Sequence, residues 1–93
     1  MFAVNSYFED HVKSLAFQAD GQRATVGVMA PGEYTFAASE KETMQVVSGS
    51  MTVKLPGEPD WQVFRVGEIF VVQPGESFDL KIASDTAYLC LYG

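Results

Sequence analysis

The sequence predicts an all-β fold, a small jelly-roll-like barrel, on three observations. β-Branched and aromatic residues dominate the middle of the chain, as strands favour. Turn signals built on Gly, Pro and Asp recur roughly every 8 to 12 residues, the spacing of sandwiches and barrels. No helical period outlasts about two turns, which sets α/β architectures aside. With 93 residues the chain makes one domain, 1–93. A chain of that size buries roughly 60–65% of its unfolded surface, enough for a single modest core.

Each element has its own signal. Asn5-Ser6-Tyr7-Phe8 can cap a short helix or cross a barrel end, and Val12, Leu15 and Phe17 begin the first extended segment. Beyond the Asp20-Gly21 turn, Arg23 to Met29 alternates in the strand period: Ala24, Val26 and Val28 share one face, Arg23, Thr25, Gly27 and Met29 the other. One of those faces is core, and the other is free to line a ligand or a partner. Ala30-Pro31-Gly32 turns the chain and Glu33-Tyr34-Thr35-Phe36 extends it again. Polar Ser39-Glu40-Lys41-Glu42 leads into two runs of strand formers, Met44 to Val47 and Met51 to Leu55, which read as a hairpin turning at Ser48-Gly49-Ser50. Pro56 to Asp60 is a solvated connection before the alternating stretch Trp61 to Val66. Gly67 opens Glu68-Ile69-Phe70-Val71-Val72, which ends at Gln73-Pro74-Gly75, where proline fixes one turn dihedral and glycine tolerates another. Ser77 to Ile82 and Ala87 to Tyr92 complete about eight or nine strands. Small barrels commonly cover exposed edge strands by pairing with a copy of themselves, so a homodimer is expected.

Charge and cysteine usage narrow the function classes. The formal net charge is −6 with 6 scattered Lys and Arg, which argues against a nucleic-acid partner, although one or two arginines suffice for a small anion. Cys90 is the single cysteine, so no internal disulfide forms; it reads as a buried structural thiol in a reducing compartment. Neither a secretory leader nor an apolar run of roughly 20 residues is present, so a cytoplasmic location without membrane contact is expected.

The glycine-anchored segments carry a more specific pattern. Six residues, Thr43 to Ser48, separate Glu42 from Gly49, and Gly67 and Gly75 bracket the later segment. This spacing resembles the two motifs of cupins, so the predicted barrel is a cupin-like jelly roll. In metal-binding cupins two histidines precede the glutamate and a third lies in the second motif. Here those positions hold Phe36 and Ala38, or Thr35 and Ala37 under the longer spacing, with Phe78 or Asp79 at the third. The only histidine, His11, lies far upstream, and a three-histidine site cannot be built from one imidazole per chain. No metal is expected, and a metal-dependent dioxygenase or isomerase of the cupin kind is rejected.

Within that frame, Gly21 to Met29, Gly32-Glu33-Tyr34-Thr35-Phe36, Asp60-Trp61-Gln62-Val63 and Tyr88-Leu89-Cys90 resemble one small family, the bacterial pyrimidine/purine nucleoside phosphorylases. The resemblance runs from Asn5 to the C-terminus without an evident insertion. It implies a homodimeric, metal-free enzyme with no cofactor, which cleaves the N-glycosidic bond of purine and pyrimidine nucleosides with phosphate as co-substrate, giving free base and ribose 1-phosphate. Family members carry an arginine before the final tyrosine, where this chain has Leu91-Tyr92, so any role of that arginine fails here.

Such a reaction needs a cation for phosphate, acceptors for the ribose hydroxyls and a surface for the base. Arg23 is the candidate for phosphate, its planar fork beside the small residues Thr25 and Gly27; the competing reading is a surface-paired arginine. Glu33 is the candidate for the ribose hydroxyls, against an exposed turn glutamate. Glu42, at the cupin carboxylate position, is a third catalytic candidate able to bond base or ribose, against an exposed strand start. Phe36 and Tyr34 are candidates for stacking on a base, with core packing as the alternative. They share a strand face that Glu33 does not, so carboxylate and aromatics point to opposite sides unless a bulge intervenes. Gln45, opposite in facing to Met44 and Val46, can read a base edge, and Tyr88 and Tyr92 can offer hydroxyls to the cavity. His11 can protonate a leaving base in principle, but Glu9-Asp10-His11 reads as an exposed segment. Lys54 and Arg65 belong to solvated faces, and Trp61 to a barrel plug or interface. Two other readings stand beside the enzyme: a cupin module that binds a nucleoside or sugar without turnover, and a structural dimer with a vestigial cavity.

Overall fold

Ten strands follow one another with no helix between them in the computed structural model, which describes residues 1–93. They are β1 (Val4–Tyr7), β2 (Val12–Ala19), β3 (Gln22–Met29), β4 (Gly32–Ala37), β5 (Glu42–Ser48), β6 (Ser50–Lys54), β7 (Gln62–Arg65), β8 (Ile69–Val72), β9 (Ser77–Ile82) and β10 (Thr86–Tyr92). The strand beyond the expected number is β1. Its residues pair antiparallel with β2, from Val4 opposite Leu15 to Tyr7 opposite Val12, so the helical option for this stretch is not taken.

The strands form two antiparallel sheets, one in the order β1-β2-β3-β10-β5-β8 and one in the order β4-β9-β6-β7. From β4 to β10 the chain passes repeatedly between them, as a jelly roll requires. The expected hairpin at Ser48-Gly49-Ser50 is therefore corrected: β5 and β6 lie in different sheets and do not pair. Gly49 makes a corner instead. Its φ is +85°, and a Cβ there would lie 2.6 Å from the Thr86 hydroxyl, which itself lies 3.1 Å from the Ser50 carbonyl oxygen. Positive φ serves a sheet-to-sheet corner as well as a hairpin, so the glycine marked the turn without marking its kind.

Between the sheets sits one core of fifteen buried residues. Met29, Met44 and Val46 come from the larger sheet, and Met51, Val53, Leu80 and Ile82 from the smaller. Register decides which face of β3 joins them. Thr25, Gly27 and Met29 turn inward, whereas Val26 and Val28 are exposed, Val28 by 57%. Gly27 is the enabling residue: the Tyr88 side chain from β10 crosses it, and a Cβ would meet the Tyr88 Oη at 2.7 Å and the Lys13 carbonyl oxygen at 2.6 Å. On the outward face the pairings line up Val4, Leu15, Val26 and Leu89 as a largely aliphatic row, which continues through Gln45 to Ile69.

Candidate functional site

The two sheets part at one end of the barrel around a cavity of about 140 Å³, lined by Tyr7, Phe36, Glu42, Tyr88, Cys90 and Tyr92 among others. Alternation on β10 sends Tyr88, Cys90 and Tyr92 to the same side, and pairing places Tyr92 directly opposite Glu42 on β5. Phe36 on β4 stacks against Phe78 on β9, with centroids 5.9 Å apart and planes 24° from parallel. Phe36 and Phe78 are among the residues that the motif spacing matches to cupin histidines, and together they form an aromatic wall. No group of three His, Cys, Asp or Glu side chains lies close enough to hold a metal ion.

Glu42 is the carboxyl group of this cavity. Half-buried, it takes a long hydrogen bond from the Cys90 thiol, 3.8 Å from Sγ to Oε1. Loss of water raises its pKa above the ordinary carboxylate value; the Cys90 bond opposes that shift and the nearby Glu40 charge adds to it. Burial also pushes the Cys90 thiol and the Tyr88 phenol each up to about 12, and the Tyr92 phenol further still. These three groups remain protonated donors at neutral pH.

At the mouth of the cavity the Arg23 guanidinium lies over the Tyr92 ring, 5.8 Å from its centroid, and pairs with Glu40. The Tyr92 and Thr25 hydroxyls are 3.1 Å apart. Arg23 also borders a wider, open groove of about 930 Å³, which shares Tyr92 with the cavity. The β1–β2 turn covers another side. Phe8 packs against Tyr34 and Phe36 at centroid distances of 5.0 and 5.4 Å, and Tyr7 meets Phe36 edge-on at 6.0 Å. Phe8, Glu9 and Asp10 all have positive φ (53°, 56° and 70°), and Ser6 donates a hydrogen bond to Asp10 across the turn. Three successive non-glycine residues in the left-handed region make a strained cover.

Of the candidates from sequence, Glu42, Phe36, Tyr88 and Tyr92 line the cavity and Arg23 stands at its mouth. The other three lie elsewhere. Glu33 is exposed opposite Lys81 on the outer face of the smaller sheet. Gln45 turns outward between Leu89 and Ile69, because Met44 and Val46 take the inward positions of β5. Tyr34 is buried in the core and its hydroxyl donates to the Ala30 carbonyl at 2.6 Å. His11 is exposed beside the β1–β2 turn. Tyr7, Ser14 and Glu40 were missed, since only long-range pairing and packing bring them to the site. For Phe78, the signal was its cupin motif position.

Two antiparallel sheets around a cavity walled by aromatic rings, phenols, a thiol and a carboxyl define a small cupin-like jelly roll without the histidine ligand set. A sequence profile described as pyrimidine/purine nucleoside phosphorylase matches residues 2–92. The chain belongs to that family of enzymes. Proteins of this name from Alcanivorax borkumensis and Magnetococcus marinus are 58% and 57% identical to it; the alignments cover 100% of this chain and 99% and 100% of theirs. A Vibrio parahaemolyticus protein of unknown function superposes with a TM-score of 0.95 at 48% identity, covering 100% of this chain and 99% of that one. An RmlC-like cupin from Shewanella frigidimarina, 17% identical, superposes at 0.77 over 98% of this chain and 82% of its own, a likeness of fold.

Proposed function

We propose that the protein is a broad-specificity phosphorylase, which uses inorganic phosphate to cleave purine and pyrimidine nucleosides to free base and ribose 1-phosphate, with neither metal nor organic cofactor. One observation carries the proposal: Arg23, Tyr92 and Glu42 form an inward row across three adjacent strands. Tyr92 pairs with Glu42, and Arg23 follows directly on the Leu91–Ala24 pair. Two strand spacings, about 10 Å, separate the backbones that carry the cation and the carboxyl, so phosphate at Arg23 and base at Glu42 take the two ends of this row. Phosphate reaches Arg23 by displacing Glu40, an exposed pair worth at most about 1 kcal/mol. The base lies against Phe36, where stacking accepts either class of base because each presents a π-face.

The cavity is smaller than the roughly 300–1,000 Å³ of most small-molecule sites, so Tyr7 and Phe8 swing outward when nucleoside enters. The aliphatic outer row of the larger sheet supports a homodimer, in which a second copy covers it. The buried, unpaired thiol supports a cytoplasmic setting. A second reading, a binding module without turnover, draws on the Arg23–Glu40 pair, which leaves no free cation at the mouth.

Chromatography of base released from uridine, cytidine, adenosine, guanosine and thymidine, with and without phosphate, tests both. Phosphate-dependent release from both classes is expected. Release without phosphate means a hydrolase, and saturable binding with no product means the binding module.

A further inference from the structure

We infer that Glu42 is the acid that protonates the departing base, with one carboxyl serving purines and pyrimidines alike. This rests on the phosphorylase reading above and supplies the proton donor that reading lacks. Geometry comes first. Glu42 is the one carboxyl among the residues that line the cavity, and its Oε1 is held by the Cys90 thiol from the neighbouring strand. Phe36 and Phe78 form an apolar wall in the same space, and a carboxyl is more acidic than any other proton donor there.

The groups that face Glu42 leave it without a cationic partner. From β10 come Tyr88, Cys90 and Tyr92, from β1 Tyr7, from β2 Ser14, and from β4, β8 and β9 the apolar Phe36, Val72 and Phe78. The nearby charge is Glu40, also an acid, whose own partner is Arg23. Desolvation and a like charge both favour the protonated form. The phenols and the thiol are too weakly acidic to replace it, and His11 is exposed at the turn, outside the lining.

The step balances without an added reagent. The bond from C1′ to the base nitrogen breaks, with its electron pair passing to the base, while the carboxyl hydrogen goes to purine N7 or pyrimidine O2. Purine N7 and pyrimidine O2 lie on opposite sides of the glycosidic nitrogen, so one donor reaches both when the two classes of base bind turned about the glycosidic bond relative to each other. An oxygen of hydrogen phosphate bonds to C1′, and the proton that phosphate gives up returns through solvent to the Glu42 carboxylate.

The decisive comparison is between natural nucleosides and 4-nitrophenyl β-riboside, whose phenolate leaves without protonation. Glu42→Gln keeps the shape and a hydrogen-bonding capacity but cannot donate that proton. It is expected to lower kcat on uridine and inosine by about 10²- to 10⁴-fold while holding the nitrophenyl riboside within about threefold of wild type. The falling alkaline limb of the wild-type kcat profile should disappear with it. An equal loss on all three substrates would overturn the assignment and make Glu42 a positioning residue. Should the variant fail to fold, wild-type rates across ribosides of graded leaving-group basicity decide: a shallow dependence supports an acid, a steep one rules it out. Absence of phosphate-dependent release by wild type from every nucleoside would instead remove the phosphorylase reading, and Glu42's role with it.

Discussion

At the cavity end of the six-stranded sheet the inner and outer faces differ in the opposite sense from a half-solvated sheet, whereas beyond it the inner face is apolar core. Toward the cavity end its inner face carries Arg23, Thr25, Ser14, Glu42, Cys90 and two tyrosines, while its outer face carries Val4, Leu15, Val26, Val28 and Ile69. Antiparallel sheets that face water commonly put apolar residues inside and polar residues outside. At this end the greasier face is turned outward, while Met29, Met44, Val46, Phe70 and Val72 keep the rest of the inner face apolar. The inward polar groups are tolerated because they bond to one another around a cavity. No buried side-chain nitrogen or oxygen lacks a partner. Burial is thus a poor guide to function in this sheet, and polarity on the concave side is a better one.

The sharpest break of that comparison sets two neighbours on β3 against each other. Met29→Ala removes a 2% exposed side chain from the core and should cost about 2–5 kcal/mol. Val28→Ala, one residue away on the outer face, should change the stability of a monomer by about 0.5 kcal/mol or less. Chemical denaturation of both variants measures the gap, and similar costs would mean that the two faces are equally buried in solution.

Next in size is the outer row. The homodimer proposed above predicts that Val26→Asp, which places a charge at the centre of this row, converts dimer to monomer in sedimentation while leaving the isolated chain folded. An unchanged mass would show that this row is not the dimer contact.

A smaller effect follows from the raised pKa of Glu42. The native state binds its proton more tightly than the unfolded chain does, so stability falls as pH rises from the ordinary carboxylate range through the raised value. Melting temperatures of wild type and Glu42→Gln, followed from pH 4 upward, should therefore shift in favour of the variant as pH increases. A constant difference would place Glu42 in a water-like environment.

Arg23→Ala removes an exposed pair and should cost the fold at most about 1 kcal/mol. It should nevertheless raise the KM for phosphate sharply, and Glu40→Gln should lower it by freeing the guanidinium. Glu33→Gln, on the outer face of the smaller sheet, should leave turnover unchanged.

Much of the fold was legible because strands and turns are written locally. Alternation located Arg23 to Met29, and glycine and proline marked the corners. What alternation cannot state is which of two faces turns inward. The parity that separates Tyr34 and Phe36 from Glu33 was correct, but only the pairing of β4 with β9 settled that the aromatics point in and the carboxylate out. Gln45 went astray for the same reason. Glu42 and Phe36 were found through motif spacing, whereas Tyr7 and Ser14 reach the cavity through contacts distant in sequence, which leave no local signal. The Gly49 corner was read as a hairpin because the same positive φ serves either.

The Cys90 thiol sits against Glu42 in a cavity that Tyr7 also lines, and alkylating reagents attack the thiolate that burial there suppresses. The closed protein is consequently silent to such reagents, and each labelling event records an excursion in which the cavity meets water. As the chain's single cysteine, it gives one unambiguous signal. The molecule thus carries its own gauge: labelling follows the opening of the door, and its slowing as nucleoside is added reports what fraction of the cavities is occupied.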